Sequence, residues 1–324
     1  MENKISKIAV FTSGGDAPGM NAALRAVVRA AIYYKKEVYG IMRGYEGMID
    51  GDLVKLGARS VGNILQRGGT ILKTARSDAF RLKEGREKAF QNLKKVGIDG
   101  LVAIGGDGSF TGLHQFHEEY KIPSICIPGT IDNDLACTDF TIGFDTATNT
   151  AVEAIDKIRD TALSHNRLFF IEVMGRNAGH IAINCGISGG AVATIIPEEH
   201  MTIEELFEKL DKGQKSSSLV VVAEGSKLGG AMELAEKFSE RNNYFDIKVT
   251  ILGHLQRGGA PTYFDRVLAS KMGIAAVEGL LKDQDDVMVG IRDNQIVYNP
   301  FASIISEHHK IDSELIRIAK ILSI

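Results

Sequence analysis

The stretch GLVAIGGDGSF, residues 100–110, decides the fold class. Its apolar run is too short for a helix core and ends in glycines, an acid and a serine just before a helical-period segment. That is the pattern of a buried strand turning into a helix. The pattern recurs along the chain. Further strands are predicted at KIAVFTS from Lys7, EVYGIMRG from Glu37, SICIPG from Ser124, RLFFIEVMG from Arg167, AVATIIPE from Ala191, SLVVVAEG from Ser218 and IKVTILGH from Ile247. Between them, NAALRAVVRAAIYYKK from Asn21, REKAFQNLKKVG from Arg86, NTAVEAIDKIRDTALSH from Asn149 and FDRVLASKMGIAAVEGLLK from Phe264 carry apolar residues at spacings of three and four, as amphipathic helices do. Strand and helix interleave throughout, so the expected fold class is α/β, with mostly parallel sheets joined by crossover helices.

At roughly 100 to 200 residues per domain, 324 residues suggest about two domains. No fixed-period repeat, low-complexity tract or Pro/Ser linker marks the boundary between them. Hydrophobic residues at 44% and charged residues at 24% are globular values and exclude a disordered chain. A net charge of -3 provides no broad cationic face, which argues against a nucleic-acid partner and leaves room for a local cationic cleft. No apolar run reaches the roughly 18 residues of a membrane span, and no signal pattern opens the chain. The expectation is a cytoplasmic protein with small-molecule substrates and no membrane partner. Cys126, Cys137 and Cys185 are widely spaced and form no C-x-x-C pair, so they read as core thiols of a reducing compartment. The informative excess is glycine, with 35 residues against 6 prolines.

Those glycines fall at strand ends, where an open parallel sheet binds its ligands. The first strand runs into TSGGDAPGMN from Thr12, and Gly14 and Gly15 would let backbone amides approach a phosphate near a helix N-terminus. In GGDGS from Gly105, Gly106 and Gly108 allow the same approach, Ser109 adds a hydroxyl, and Asp107 offers the hard oxygens that Mg2+ prefers. The loop is neither a Walker sequence nor a dinucleotide fingerprint. In PGTIDND from Pro128, Asp132 and Asp134 stand two apart. In an extended segment both would point to one side, one acting on a substrate proton while the other supports it or the metal. Later strands end in cations: Arg176 in MGRNAGH, and His254 and Arg257 in ILGHLQRGG. Arginine suits phosphate because its planar fork donates two hydrogen bonds and stays charged. LQRGG also occurs at Leu65, followed by Arg76 in ILKTARSD.

Other readings need other features. GISGG from Gly186 fits the nucleophile elbow of hydrolases, but Ser188 is expected to follow a less regular segment and to precede a strand, the reverse of what an elbow requires. A non-catalytic sugar-phosphate sensor would not need Asp107, Asp132 and Asp134 together. His114 and His117, one helical turn apart, lack a third ligand at suitable spacing and read as surface residues.

Taken in order and spacing, TSGGDAPGMN, LVAIGGDGS, PGTIDND, MGR and GHLQRGG resemble the bacterial ATP-dependent 6-phosphofructokinases over essentially all 324 residues. The resemblance implies two three-layer αβα domains with the active site in the cleft between them, assembled as a homotetramer. The ATP-binding domain would span 1–143 plus 255–306, and the fructose 6-phosphate-binding domain 144–254 plus 307–324. It implies transfer of the gamma-phosphate of MgATP to the 1-hydroxyl of the sugar, with Asp132 as general base beside Thr130 and Asp134, and Asp107 on Mg2+. Gly15, Arg76, Ser77 and Gly106 to Ser109 match ATP positions. Arg176 matches the residue on the transferring phosphoryl group, and Met174, Gly175 and Glu224 match positions that hold the sugar. His254 and Arg257 match the 6-phosphate site, to which a neighbouring subunit would contribute Arg167 and Lys248, the latter where arginine is usual.

Members that use pyrophosphate typically carry Asp at Gly108 and Lys at Gly129, so a pyrophosphate-dependent enzyme is the alternative and both glycines favour ATP. Arg25, Arg29 and Arg159 match part of an effector site for ADP or phosphoenolpyruvate. That match is incomplete at Val192, at Ala58 and around Lys212 and Lys215. On a purely local reading, Arg25 and Arg29 are one solvated helix face.

Overall fold

Strands buried along their whole length can satisfy their backbone only by pairing on both sides, and such strands, Gly100–Gly105 and Ser218–Ala223 among them, form the interior of two sheets here. The computed structural model describes residues 5–164, 167–212, 218–241, 244–305 and 309–323; Lys215 of the expected effector cluster lies outside them. In chain order the first elements are β1 (Lys7–Thr12), α1 (Met20–Tyr33), β2 (Glu37–Ile41), α2 (Gly44–Asp50), β3 (Leu53–Leu56), α3 (Lys83–Val96), β4 (Gly100–Gly105), α4 (Asp107–Tyr120), β5 (Ser124–Thr130) and β6 (Ile142–Gly143). There follow α5 (Phe144–Leu163), β7 (Arg167–Val173), α6 (His180–Ser188), β8 (Ala193–Ile195), α7 (Ile203–Lys212), β9 (Ser218–Ala223), α8 (Ala231–Arg241) and β10 (Asp246–Ile251). The last are α9 (Tyr263–Leu281), β11 (Val287–Arg292), β12 (Gln295–Pro300), α10 (Phe301–Ile305) and α11 (Ser313–Leu322).

The chain divides into two units. The first comprises Met1–Ile131, Leu135–Asp145 and Arg257–His309, and the second Asp132–Asp134, Thr146–Gln256 and Lys310–Ile324. The sheet of the first unit runs β12-β11-β5-β4-β1-β2-β3, with β6 also pairing β5. Its interior is parallel, and register puts Thr12 level with Ile104 and Gly105 level with Pro128. The loops after β1, β4 and β5 therefore leave from one edge. The second unit has a four-stranded parallel sheet, β10-β7-β9-β8, in which Val173 is level with Ala223 and Glu172 with Ile251.

The interleaved pattern is observed, but the edges are not parallel. β3 pairs antiparallel with β2, and β12 with β11, and neither β3 nor the β11–β12 hairpin is among the expected strands. The hairpin turns on Asp293 and Asn294 at φ 50 and 63, left-handed values that Asp and Asn tolerate and that a two-residue hairpin turn demands. Ser188 ends a regular helix rather than an irregular segment, so no strand delivers it, as a nucleophile elbow would require. His117 is not a surface residue. It is 6% exposed on α4, its Nδ1 lies 3.0 Å from the Ile122 carbonyl and 3.3 Å from Asp285, and its neighbour Phe116 enters the core.

Each unit has its own apolar core. Phe11, Tyr45, Phe80, Phe110, Phe116 and Phe301 fill one face of the first sheet, and Phe170, Phe207, Val220, Val222 and Phe238 pack in the second unit. On the other face of the first sheet α1 meets α9 at small residues; a Cβ on Gly273 would lie 2.6 Å from that of Ala26. Burial pushes the Cys185 thiol up to about 12 and that of Cys126 well above its ordinary value, which leaves both inert.

One ion pair ties α3 to α4. Arg86, 4% exposed, donates Nε and Nη2 to the two Glu119 oxygens at 2.8 and 2.7 Å, and Nη1 to the carbonyls of Phe80 and Arg81. The hydrogen bonds from Arg86 hold the Glu119 carboxyl below its ordinary value of 4.5. Replacing Glu119 with Ala strands a buried cation and is expected to cost about 3 kcal/mol or more in urea denaturation. Because the native value is depressed, the pair stabilises fully above the unfolded-state value and less as pH falls through the native one. The gap between wild type and variant should therefore shrink in acid.

Candidate active site

In the first unit three glycine-bearing loops converge at the carboxyl edge of the sheet. The loop after β1 is pinned by Ser13 N–H donating to the Ile104 carbonyl at 3.0 Å. Gly14 takes φ +82, and a Cβ there would touch the Ser109 hydroxyl at 3.4 Å. A Cβ on Gly105 would come within 2.6 Å of both Ser109 Oγ and the Ser13 carbonyl, so only glycine lets the β1 and β4 loops lie this close. Ser109 is buried, and its carbonyl accepts from the Tyr45 hydroxyl. Gly106 caps α4 in extended conformation with Thr130 beside it, a Cβ on Gly106 lying 3.6 Å from that of Thr130.

Asp107 and Gly108 form the exposed first turn of α4. Amides in a helix's first turn have no intrahelical acceptor, and the helix dipole adds positive charge there, so the turn can receive a phosphate. A Cβ on Gly108 would meet nothing within 4 Å, whereas one on Gly129 would lie 3.0 Å from Ile104, which gives Gly129 a packing reason of its own.

The two LQRGG segments meet in this unit. A Cβ on Gly68 would strike the Gly259 backbone, and Asn21 holds the first segment by donating to the carbonyls of Arg67 and Gly68. Arg257 lies against Gly15 and donates Nη1 to the Asp16 carbonyl at 2.9 Å, on the loop after β1. Arg76 is exposed, and the Ser77 hydroxyl accepts from Phe80 N–H at 3.2 Å, in the short 3-10 turn Ala79–Arg81.

In the second unit Asp132 is 3% exposed, and its Oδ2 lies 3.4 Å from Nε of Arg176, whose own side chain is largely in solvent. Asn133 takes φ 51, so the segment is not extended as expected. The local alternation is broken, leaving Asp132 buried and Asp134 half-buried. Arg176 is held by the turn after β7. Gly175 is at φ +142, and Glu224 Oε1 accepts from the amides of Gly175 and Arg176 at 3.2 and 2.8 Å. Met174 N–H donates to Oε1 of Gln256, which is fully buried. Gln256 is absent from the sequence reading although LQRGG contains it, because a neutral amide carries no charge signal.

Other residues stand elsewhere. Arg167 and Lys248 share the carboxylate of Asp246, at 3.1 and 2.6 Å. They sit at the start of β7 and along β10, and a seven-residue strand is roughly 20 Å long, which separates Arg167 from Met174–Arg176. His254 is exposed in the 3-10 turn Gly253–Arg257. Arg25 and Arg29 lie one turn apart on α1, where burial and then Arg29 lower the Arg25 value. Arg159 donates to the carbonyls of Gly189 and Gly190 just past the end of α6, the favoured place for a cation.

Parallel sheets whose strand ends carry glycine loops, a helix N-terminus and arginines define a phosphate-handling α/β protein. The chain belongs to the phosphofructokinase family, whose model matches residues 7–280. It is 54% identical over 322 residues to an "ATP-dependent 6-phosphofructokinase" of Cytophaga hutchinsonii, covering 98% of each chain. It is 53% identical to an "ATP-dependent 6-phosphofructokinase 2" of Bacteroides thetaiotaomicron, again over 98% of both. Among solved structures, phosphofructokinase from Saccharomyces cerevisiae superposes with a TM-score of 0.88 at 36% identity, covering 98% of this chain; this chain spans 48% of the yeast chain. A pyrophosphate-dependent phosphofructokinase from Marinobacter aquaeolei shares the fold, with a TM-score of 0.83 at 22% identity and coverage of 96% and 86%.

The open space at Gly108 makes a sharp expectation. Gly108→Asp should fold with a Tm within about 2 °C of wild type, since the added carboxylate meets no atom and lies at a helix N-terminus. A larger drop in a thermal scan would mean that the turn lacks this room.

Proposed function

We propose that this chain transfers the gamma-phosphate of MgATP to the 1-hydroxyl of D-fructose 6-phosphate, giving fructose 1,6-bisphosphate and ADP; relatives named ATP-dependent 6-phosphofructokinase support this reading. The observation that carries the reading is the buried Asp132 carboxylate beside Arg176, a proton acceptor next to a cation suited to a phosphoryl group. Phosphoryl transfer asks little covalent work of a protein; positioning and charge lower the barrier. Asp132 accepts the hydroxyl proton as the new P–O bond forms, with Thr130 and Asp134 beside it. Arg176 holds the transferring group, and Glu224 fixes the turn that presents it.

The first unit serves the nucleotide through Gly15, Arg76, Ser77 and Gly106 to Ser109, and the second serves the sugar. Asp107 fits Mg2+ because it is an exposed carboxylate in the turn that faces phosphate; the ion would supply positive charge against the phosphate oxygens. Arg167 and Lys248, distant from Met174–Arg176 within a chain, would complete the 6-phosphate site of a neighbouring copy, together with that copy's His254 and Arg257. On the same reading the working form would be a homotetramer, in the cytoplasm. Arg25, Arg29 and Arg159 would form part of an effector site.

The pyrophosphate-dependent alternative is disfavoured by the open Gly108, which leaves room for an alpha-phosphate, and by relatives at 52% to 54% identity that are named ATP-dependent.

A coupled assay with fructose 6-phosphate tests the reading: turnover is expected with MgATP and not with pyrophosphate, and the reverse preference would overturn it. Asp132→Asn should lower kcat by about 10²-fold or more with ATP binding unchanged, and Gly108→Asp should weaken ATP use while the protein stays folded. Lys248→Arg, which restores a two-pronged donor, is expected to lower KM for the sugar phosphate severalfold.

A further inference from the structure

We infer that the C-terminal half of α4 and the turn before β11 form a binding site for a divalent ion of the zinc class, separate from the Mg2+ of the reaction and using none of the residues assigned to it. Helical spacing puts His114, His117 and Glu118 at i, i+3 and i+4, on one side of α4. Asp286 reaches the same place from the turn before β11. Side-chain atoms of His117, Glu118 and Asp286 that could each offer a metal one ligand lie within 4.8 Å of one another. The sequence offers only a histidine pair, and the tertiary structure adds the third ligand from a position far along the chain.

The surroundings of these side chains suit a metal better than a plain ion pair. His117 is buried, and its Nδ1 lies 3.0 Å from the Ile122 carbonyl. An imidazole that donates Nδ1–H to a carbonyl keeps a lone pair on Nε2, the arrangement in which metal-binding histidines are usually held. His114 Nδ1 lies 2.9 Å from both oxygens of Asp286 and orients that carboxylate, as an outer-shell partner does. Asp286 is fixed in turn: its backbone is left-handed at φ 53 and its carbonyl accepts from Phe301 N–H. Glu118 pairs at 3.0 Å with Lys121, both side chains more than half exposed. Such a pair is worth little and is readily exchanged for a metal bond.

The donor set selects the ion. One imidazole and two carboxylates, with water completing four-coordination, suit Zn2+ and its neighbours Co2+ and Ni2+, whereas Mg2+ and Ca2+ prefer oxygen ligands alone. A bound ion would clamp α4, whose first turn is Asp107 and Gly108, to the start of β11. Since only the native state presents the three ligands together, binding raises Tm.

Titration of the full-length protein with Co2+ tests the site. The expected result is one Co2+ per chain with visible d–d absorption, displaced by Zn2+ and retained in excess Mg2+, with a rise in Tm of a few degrees. Asp286→Asn and Glu118→Gln should each weaken Co2+ binding about tenfold or more, and His200→Ala, on another element, should leave it unchanged. Glu118 is exposed, so its variant reports on binding even if changes at the buried His117 impair folding. Absence of stoichiometric binding, displacement by Mg2+, or wild-type affinity in both carboxylate variants would overturn the proposal.

Discussion

Parallel strand register is the constraint on which the functional surfaces depend. Backbone pairing sets Thr12 against Ile104 and Gly105 against Pro128, so the loops after Thr12, Gly105 and Thr130 begin near one level although the chain between them is long. In the second unit the same rule aligns Val173 with Ala223, from which Met174–Arg176 and Glu224 follow directly. A slip of one residue would turn every side chain of a strand to the opposite face and move its loop along the edge. The placement of these loops therefore rests on main-chain hydrogen bonds between apolar strands.

Close approach is the second requirement, and glycine supplies it at particular points. Gly105 lets the β4 loop meet Ser13 and Ser109, and Gly68 lets the two LQRGG segments touch backbone to backbone. Gly108 is different: a Cβ there would meet nothing within 4 Å, so packing does not demand glycine. Gly129 carries the opposite message. It packs against Ile104, and stability alone accounts for it.

Charge is handled differently in the two units. Arg86 is buried, donates four hydrogen bonds from three nitrogens to Glu119 and two carbonyls, and serves structure. Arg176 keeps most of its surface in solvent beside its contact with the buried Asp132, so its guanidinium is open to further partners. Arg167 and Lys248 share Asp246, and that carboxylate keeps two like charges together on adjacent strands.

Composition and periodicity determined that this is an α/β chain with parallel strands, and motif order determined its family, because buried strands and phosphate loops both need local residue types that can be read in short windows. The antiparallel edge strands were less legible, although the Asp293–Asn294 turn carried a local signal for one hairpin. Tertiary structure alone decided which side chains meet. It buried Asp132 and gave it Arg176, turned Asn133 left-handed with Asp134 only half-buried, and placed Arg257 on the loop of Gly15. It also brought Asp286 to His114 and His117, across 172 residues from the first of them. Spacing along a strand or helix is fixed by covalent geometry, but contact between distant segments follows from how whole sheets register and helices pack, and no short window of sequence contains that.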